Sequence, residues 1–276
     1  MRIVELLLIT TVPSMVVSIY GFPPLELILF TVLGGTLLAV SANVLNQIFE
    51  ISTDSLMERT VNRPLVTGEV SKKNAYIYSI SLGLFGYLIL YTQSTTLAAN
   101  IALSANIFYS FIYTLILKPR TNQNIVIGGA AGAAPVLIGW SATGAELEIG
   151  SWLLFLLVFL WTPAHFWALS LENIDDYKDA DFPMLPTQES KKRTAIFIGV
   201  YSCATVITSI LLAPILQLGI TYLVLALLFG IYLMYKSYGL YIDKVKPISY
   251  FIFSNTYLAV IFLSMVGDIF ITLGSI

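Results

Sequence analysis

Asn46, Glu50 and Asp54 recur at intervals of four residues and, on a helix, fall along one narrow stripe. Two carboxylates on one stripe repel each other unless a cation lies between them. Glu58, Arg59, Asn62 and Arg63 follow within the segment 43–68, NVLNQIFEISTDSLMERTVNRPLVTG. Hard oxygen ligands beside arginines suit a divalent cation that bridges to a phosphate or diphosphate. The alternative is a solvated helix end carrying surface charge. Asn46 and Glu50 weigh against it, because they lie within or at the rim of an apolar run, where polar groups usually face a cavity or the bundle interior.

A second cluster occupies residues 165–193, HFWALSLENIDDYKDADFPMLPTQESKKR. Glu172 and Asp176 are four apart, as are Asp175 and Asp179, so either pair can share a helix face. A carboxylate pair on each of two facing helices suits two Mg²⁺ ions, which keep several waters, bridge to substrate phosphates and make a diphosphate a better leaving group. Lys178, Arg59 and Arg63 are then placed to grip the remaining phosphate oxygens. For Asp179, Asp181 and Glu189, solvation of a loop is the plainer reading. His165, the only histidine, follows Pro163 beside Phe166 and Trp167. It is either a hydrogen-bonded packing residue or a contact to a polar substrate such as haem, through a propionate or the iron; one histidine supports no bis-His site. Tyr109 and Tyr113, four apart, either line an apolar channel or pack a core.

The elements that must position these residues are membrane helices. The 276-residue chain is 57% hydrophobic and 11% charged, against about 25% charged in soluble domains. The expected fold is all-α, a single integral membrane domain over residues 1–276. Nine spans are predicted, at 3–20, 25–50, 74–92, 97–117, 122–141, 150–171, 194–213, 217–236 and 250–274. The first, after Arg2, is read as a retained span, since no small-x-small cleavage site follows it. With nine spans and a cytoplasmic N-terminus, all 14 Lys and Arg residues fall on the cytoplasmic side, and the opposite face carries only acids such as Glu26, Glu146 and Glu148. The two longer cytoplasmic loops, 51–73 and 172–193, together with Glu50 hold ten of the sixteen acids. They lie about 125 residues apart, which suggests two four-helix halves plus a ninth helix.

The net charge of −2 excludes a nucleic-acid partner, and a single cysteine, Cys203, excludes a disulfide framework or a cysteine metal site. The stretch Gly128, Gly129, Ala130, Ala131, Gly132, Ala133, Ala134 reads as a tight helix contact and not as a phosphate loop, because no strand precedes it.

With Asn46, Glu50 and Asp54 followed by MERTVNRPL, the chain resembles the UbiA superfamily of intramembrane prenyltransferases. Within it, TPAHFWALS at 162–170, DDY at 175–177, PMLP at 183–186, NIVIGGAAGAAP in the fifth span, and Tyr113, Lys118, Arg120 and Thr121 resemble the protoheme IX farnesyltransferase (haem O synthase) branch. The likeness runs from about residue 40 to 195. It implies a nine-helix bundle with a central cavity and a cytoplasmic-side cap. The implied chemistry is Mg²⁺-assisted transfer of farnesyl from farnesyl diphosphate to a vinyl group of haem b, with water completing the hydroxyethyl-farnesyl group. Asn46, Glu50 and Asp54 would serve one metal, and Asp175, Asp176 and Asp179, with Glu172 in a competing register, a second. Arg59, Arg63, Lys118, Arg120 and Lys178 would hold the diphosphate, with His165, Trp167, Tyr109 and Tyr113 near the haem and prenyl groups. The implied setting is the cell membrane with a cytoplasmic-facing site, and the product would pass to a haem A synthase or haem-copper oxidase assembly. Gln47 stands where the superfamily carries an acid, and only Arg2 stands where the branch carries a basic segment, consistent with a shortened start. A UbiA-type enzyme with another acceptor, a quinone precursor or a glycerol-based lipid, shares the metal motifs; an ion transporter using the acidic pairs is the reading from a different class.

Overall fold

A computed structural model describes residues 3–179 and 183–273; Asp181 and Arg2 lie outside the described residues. The described chain is helical and contains no strand. Its elements are α1 (Ile3–Ser18), α2 (Leu25–Phe49), short α3 (Ile51–Asp54) and α4 (Pro64–Thr67), α5 (Lys72–Gln93), and α6 (Thr96–Ile107) running into a π-helical segment (Phe108–Leu117). Then follow α7 (Asn124–Ala142), α8 (Ile149–Glu172), short α9 (Ile174–Asp179) and α10 (Leu185–Gln188), α11 (Lys191–Ile215), α12 (Ile220–Tyr241) and α13 (Pro247–Leu273). Among the described residues eight helices are long and apolar enough to cross a membrane, which makes this a multi-pass membrane protein. The expected ninth, α1, has 16 residues. Over those described residues it covers about 24 Å at 1.5 Å per residue, against a hydrocarbon core of about 30 Å.

In a bilayer, helices associate by close packing and polar contacts rather than by hydrophobic burial, so small residues mark the crossings. A Cβ on Gly34 would meet the Gly86 carbonyl oxygen at 2.9 Å, and one on Gly86 would meet the Gly34 carbonyl oxygen at 2.8 Å, so α2 and α5 touch backbone to backbone. Ser79 Oγ donates to the Ser41 carbonyl at 2.9 Å in the same interface. On the other side Asn106 Nδ2 donates to the Leu38 carbonyl at 2.7 Å, tying α6 to α2. α1 crosses α7 where Ser14 Oγ donates to the Val136 carbonyl at 2.7 Å and a Cβ on Gly139 would meet the Thr11 carbonyl oxygen at 2.3 Å.

α8 is surrounded by α7, α11 and α13 and carries much of the larger core cluster, with Leu154, Leu157, Trp161, Ala164 and Ala168 buried. The loop after α2 and the loop after α8, which carry the two acidic clusters, leave the bundle at the same end, because each follows an antiparallel pair.

The short helices α3, α4, α9 and α10 fall within segments read as loops, and the π-helical segment is a winding that sequence periodicity did not anticipate. π-helix is rare and concentrates at functional sites. Here it spans ten residues and ends one residue before Lys118.

Candidate active site

α2 stops at Phe49, yet the stripe survives the break. Glu50 N–H donates to the Asn46 carbonyl at 3.0 Å and Asp54 N–H to the Glu50 carbonyl at 2.7 Å, so the i, i+4 bonds continue into α3. Asn46, Glu50 and Asp54 are 7%, 6% and 4% exposed, as buried as core residues. Three unsolvated polar groups on one face require partners.

The partners come from two places. Arg63 Nη1 lies 2.5 Å from Asp54 Oδ2. The loop that returns it is pinned by Thr60, whose Oγ1 donates to the Asp54 carbonyl at 2.8 Å and whose carbonyl accepts from Arg63 N–H at 3.0 Å. From the end of the π-helical segment, Lys118 Nζ lies 2.7 Å from Glu50 Oε2 and 2.6 Å from Oε1. Only the Oε2 contact has hydrogen-bond alignment; Oε1 is buried and otherwise without a hydrogen-bond partner. Asn46 Nδ2 donates to Thr114 Oγ1 at 3.1 Å. Asn46 and Glu50, four apart at the end of α2, thus meet Thr114 and Lys118, four apart at the end of the facing segment.

Asn46, Glu50 and Asp54 offer an amide oxygen and carboxylates, with one buried carboxylate oxygen lacking a hydrogen bond. Such hard oxygen donors fit Mg²⁺. As the site stands, two carboxylates face two cations and the local charge sums to zero. Arg63 and Lys118, expected to hold a phosphate group, are turned onto the metal-side acids instead.

The remaining expected ligands are not gathered here. Among the described residues no three His, Cys, Asp or Glu side chains stand close enough to share a metal ion. Asn173 breaks the helix between α8 and α9, with its Nδ2 donating to the Leu169 carbonyl at 2.9 Å. Glu172 and Asp176 therefore do not share one helix, whereas Asp175 and Asp179 both lie on α9. Glu172 is committed elsewhere: its Oε2 accepts the Ile248 N–H at 3.2 Å at the first turn of α13. In this structure that contact, and not a neighbouring carboxylate, is the partner of Glu172. Asp175, Lys178, Asp179, Arg59 and Arg120 are exposed and Asp176 half-buried, none of them in an ion pair among the described residues.

Tyr109 and Tyr113, four apart on the π-helical segment, stack with ring centroids 5.2 Å apart. The Tyr113 ring lies on Gly128, where a Cβ would sit 2.4 Å from its Cδ2. The glycine-rich run of α7 is thus a close contact, as expected, and its partner is a tyrosine adjoining the site. Gly129 meets Thr162 in the same way at 3.3 Å.

His165 is 3% exposed and clasped on both faces, by Trp161 and Phe251 rings each centred 4.2 Å away. Its Nδ1 lies 2.7 Å from Ser254 Oγ. Ser254 Oγ donates its single proton to the Phe251 carbonyl at 2.8 Å, so it accepts from Nδ1–H. Nε2 is then the free acceptor of the neutral ring. Trp167 does not join His165; it packs against Phe197 and Tyr201 of α11. Thr60 lies within MERTVNRPL but was given no role, whereas Thr114 and Ser254 were not found by sequence reasoning, since each matters through a hydrogen bond to a residue whose position only the fold supplies.

The fold and this buried acid–cation stripe define a class of intramembrane enzyme. The UbiA prenyltransferase family model matches residues 7–267, and the chain belongs to that family. Within the family it is similar to the protein of Leifsonia xyli named protoheme IX farnesyltransferase, 42% identical over 272 residues, 97% of this chain and 89% of that one. The namesake in Streptomyces avermitilis is also 42% identical, over 278 residues, 98% of this chain and 91% of that one. Among solved structures, one described as digeranylgeranylglyceryl phosphate synthase matches with a TM-score of 0.77 at 20% identity, covering 98% of this chain and 99% of that one. A UbiA homolog from Archaeoglobus fulgidus bound to GPP and Mg²⁺ matches with a TM-score of 0.67 at 18% identity, covering 95% and 96%.

Proposed function

We propose that this protein transfers the farnesyl group of farnesyl diphosphate to a vinyl group of haem b, giving haem O. The observation that carries the reading is the buried stripe Asn46, Glu50 and Asp54 with Lys118 and Arg63 paired to it, in a chain 42% identical to proteins named for that reaction. A neighbour in fold bound to GPP and Mg²⁺ supports an allylic diphosphate as donor and Mg²⁺ as its metal.

Bound Mg²⁺ would supply charge neutralisation at the departing diphosphate. Asn46 Oδ1, Glu50 and Asp54 would hold one ion, and Asp175, Asp176 and Asp179 of α9 a second. Lys118 and Arg63 release their acids and bind the diphosphate oxygens, joined by Arg59, Arg120 and Lys178 from the exposed loops. The allylic C–O bond breaks and its electron pair leaves on the diphosphate. The stacked faces of Tyr109 and Tyr113 stabilise the farnesyl cation through their ring electrons. The haem vinyl carbon attacks that cation to form the new C–C bond; water adds to the cation left beside the porphyrin ring and loses a proton. His165 orients the haem through its free Nε2. The partition of basic residues supports a site on the cytoplasmic face of the cell membrane, from which the product would pass to a haem A synthase or oxidase assembly.

Purified protein in lipid nanodiscs, given farnesyl diphosphate, haem b and Mg²⁺, is expected to form haem O, detected by mass spectrometry and abolished by EDTA. Prenylation of a quinone precursor or a glycerol lipid in place of haem overturns the acceptor, and ion flux with no covalent product overturns the reaction class.

A further inference from the structure

Thr114 sits where the π-helical segment faces α2, 5% exposed, and it makes two hydrogen bonds with one hydroxyl. Its Oγ1 donates to the Tyr109 carbonyl, five residues back, at 2.8 Å. A carbonyl can only accept, so the single hydroxyl proton is spent there. Towards Asn46, 3.1 Å away, Oγ1 therefore has only lone pairs to offer. The Asn46 atom that faces it must be the amide nitrogen, a hydrogen-bond donor. The opposite choice, amide oxygen against hydroxyl oxygen, would set two lone pairs against each other in a buried site. Asn46 Oδ1 is consequently turned away from Thr114, and among the described residues no hydrogen bond is made to it. Glu50, one turn along the same stripe, is meanwhile held by Lys118 from the same segment.

We propose that Thr114 is a positioning residue for metal binding: it fixes the Asn46 amide so that its oxygen, not its nitrogen, is presented beside Glu50 and Asp54. The inference rests on the reading of Asn46 as a ligand and adds what makes it one. An asparagine free to flip offers its oxygen only part of the time, and an NH₂ turned toward a cation repels it. The π-helical winding contributes directly, because the Thr114 hydroxyl reaches the carbonyl five residues back that such winding brings beneath it. Lost outer-shell partners typically cost 10–100-fold in metal affinity.

The test uses the full chain in nanodiscs with Mn²⁺ as the spectroscopically visible ion and inorganic diphosphate as the anion, read by electron paramagnetic resonance without turnover. Thr114→Val keeps the shape and removes the hydroxyl; it is expected to weaken Mn²⁺ binding by about tenfold. Thr114→Ser, which keeps the hydroxyl, is expected to restore it. In an Asn46→Ala background, Thr114→Val is expected to change nothing further. Unchanged Mn²⁺ affinity in Thr114→Val, or an equal fall in the Asn46→Ala background, overturns the positioning role while leaving Asn46 a ligand. If Asn46→Ala itself leaves Mn²⁺ binding intact, the ligand assignment and the inference fall together.

Discussion

Lys118 and Glu50, 68 residues apart in sequence, meet as a partly buried ion pair with the ammonium 2.7 Å from one carboxylate oxygen and 2.6 Å from the other. The lysine expected to grip a diphosphate and the glutamate expected to grip a metal hold each other, as do Arg63 and Asp54. Removing one charge from such a pair strands the other in a poorly solvated place, whereas exchanging both partners at once does not.

Mg²⁺ and diphosphate should therefore bind with positive coupling. Either alone must break ion pairs and leave cations or acids unmatched; together they supply each side with a new partner. We expect each to raise the other's affinity by about 5–150-fold, measured by isothermal titration calorimetry of one at saturating concentrations of the other. Independent affinities would show that the pairs do not exchange. Lys118→Met should strengthen binding of Mg²⁺ alone and weaken that of diphosphate.

Glu50→Gln and Asp54→Asn each preserve shape and remove a charge. Loss of one acid from the stripe is expected to reduce kcat by on the order of 100-fold or more, since an ion held there as proposed would contribute several kcal/mol to departure of the diphosphate. Thermal unfolding in detergent should remain cooperative for both variants. Full prenylation by either would remove the metal assignment and leave the fold standing.

Glu172 and Asp175 should separate in the same assay. Glu172→Ala loses an acceptor for the Ile248 N–H and is expected to destabilise by about 0.5–1.5 kcal/mol, with the Mg²⁺ requirement for turnover unmoved. Asp175→Asn is expected to raise the Mg²⁺ concentration needed for half-maximal rate. A shifted Mg²⁺ requirement in Glu172→Ala would return that residue to the metal set.

Two glycines of α7 give different outcomes. Gly139→Ala drives a methyl to 2.3 Å from the Thr11 carbonyl oxygen, a backbone atom that cannot swing aside; the α1–α7 crossing must open, at about 1–3 kcal/mol. Gly128→Ala meets a tyrosine ring, which can turn. We expect Gly128→Ala to fold with near-normal stability and a large fall in kcat, because Tyr113 leaves its stack on Tyr109. Equal stability losses in the two, followed by chemical unfolding in mixed micelles, would place Gly128 with the packing residues only.

Ser254→Ala removes the acceptor that holds His165 Nδ1–H. The expected result is a higher KM for haem b with an unchanged KM for farnesyl diphosphate, and the same pattern, stronger, for His165→Ala. A parallel rise in both KM values would mean that the pair supports the bundle and not the acceptor.

Much of this molecule is local and so legible in its sequence. Runs of apolar residues fix the spans, because a backbone in lipid must satisfy its hydrogen bonds within the helix. Four-residue spacing fixes the stripe Asn46, Glu50 and Asp54 even across the break at Glu50, because the i, i+4 bonds persist through it. The pairing of Arg63 with Asp54 closes a loop of nine residues and lay within reach of the same reading. What the sequence could not contain is which helix faces which. Thr114 against Asn46, Lys118 against Glu50, Ser254 against His165 and Ile248 against Glu172 join residues 68 to 89 positions apart. Those meetings are set by glycine and serine crossings such as Gly34 on Gly86, whose energies are summed over the whole bundle. The tertiary structure alone therefore decided that the acids and cations of the site are held by each other, that Glu172 serves α13, and that a π-helical turn presents Thr114 to the amide it orients.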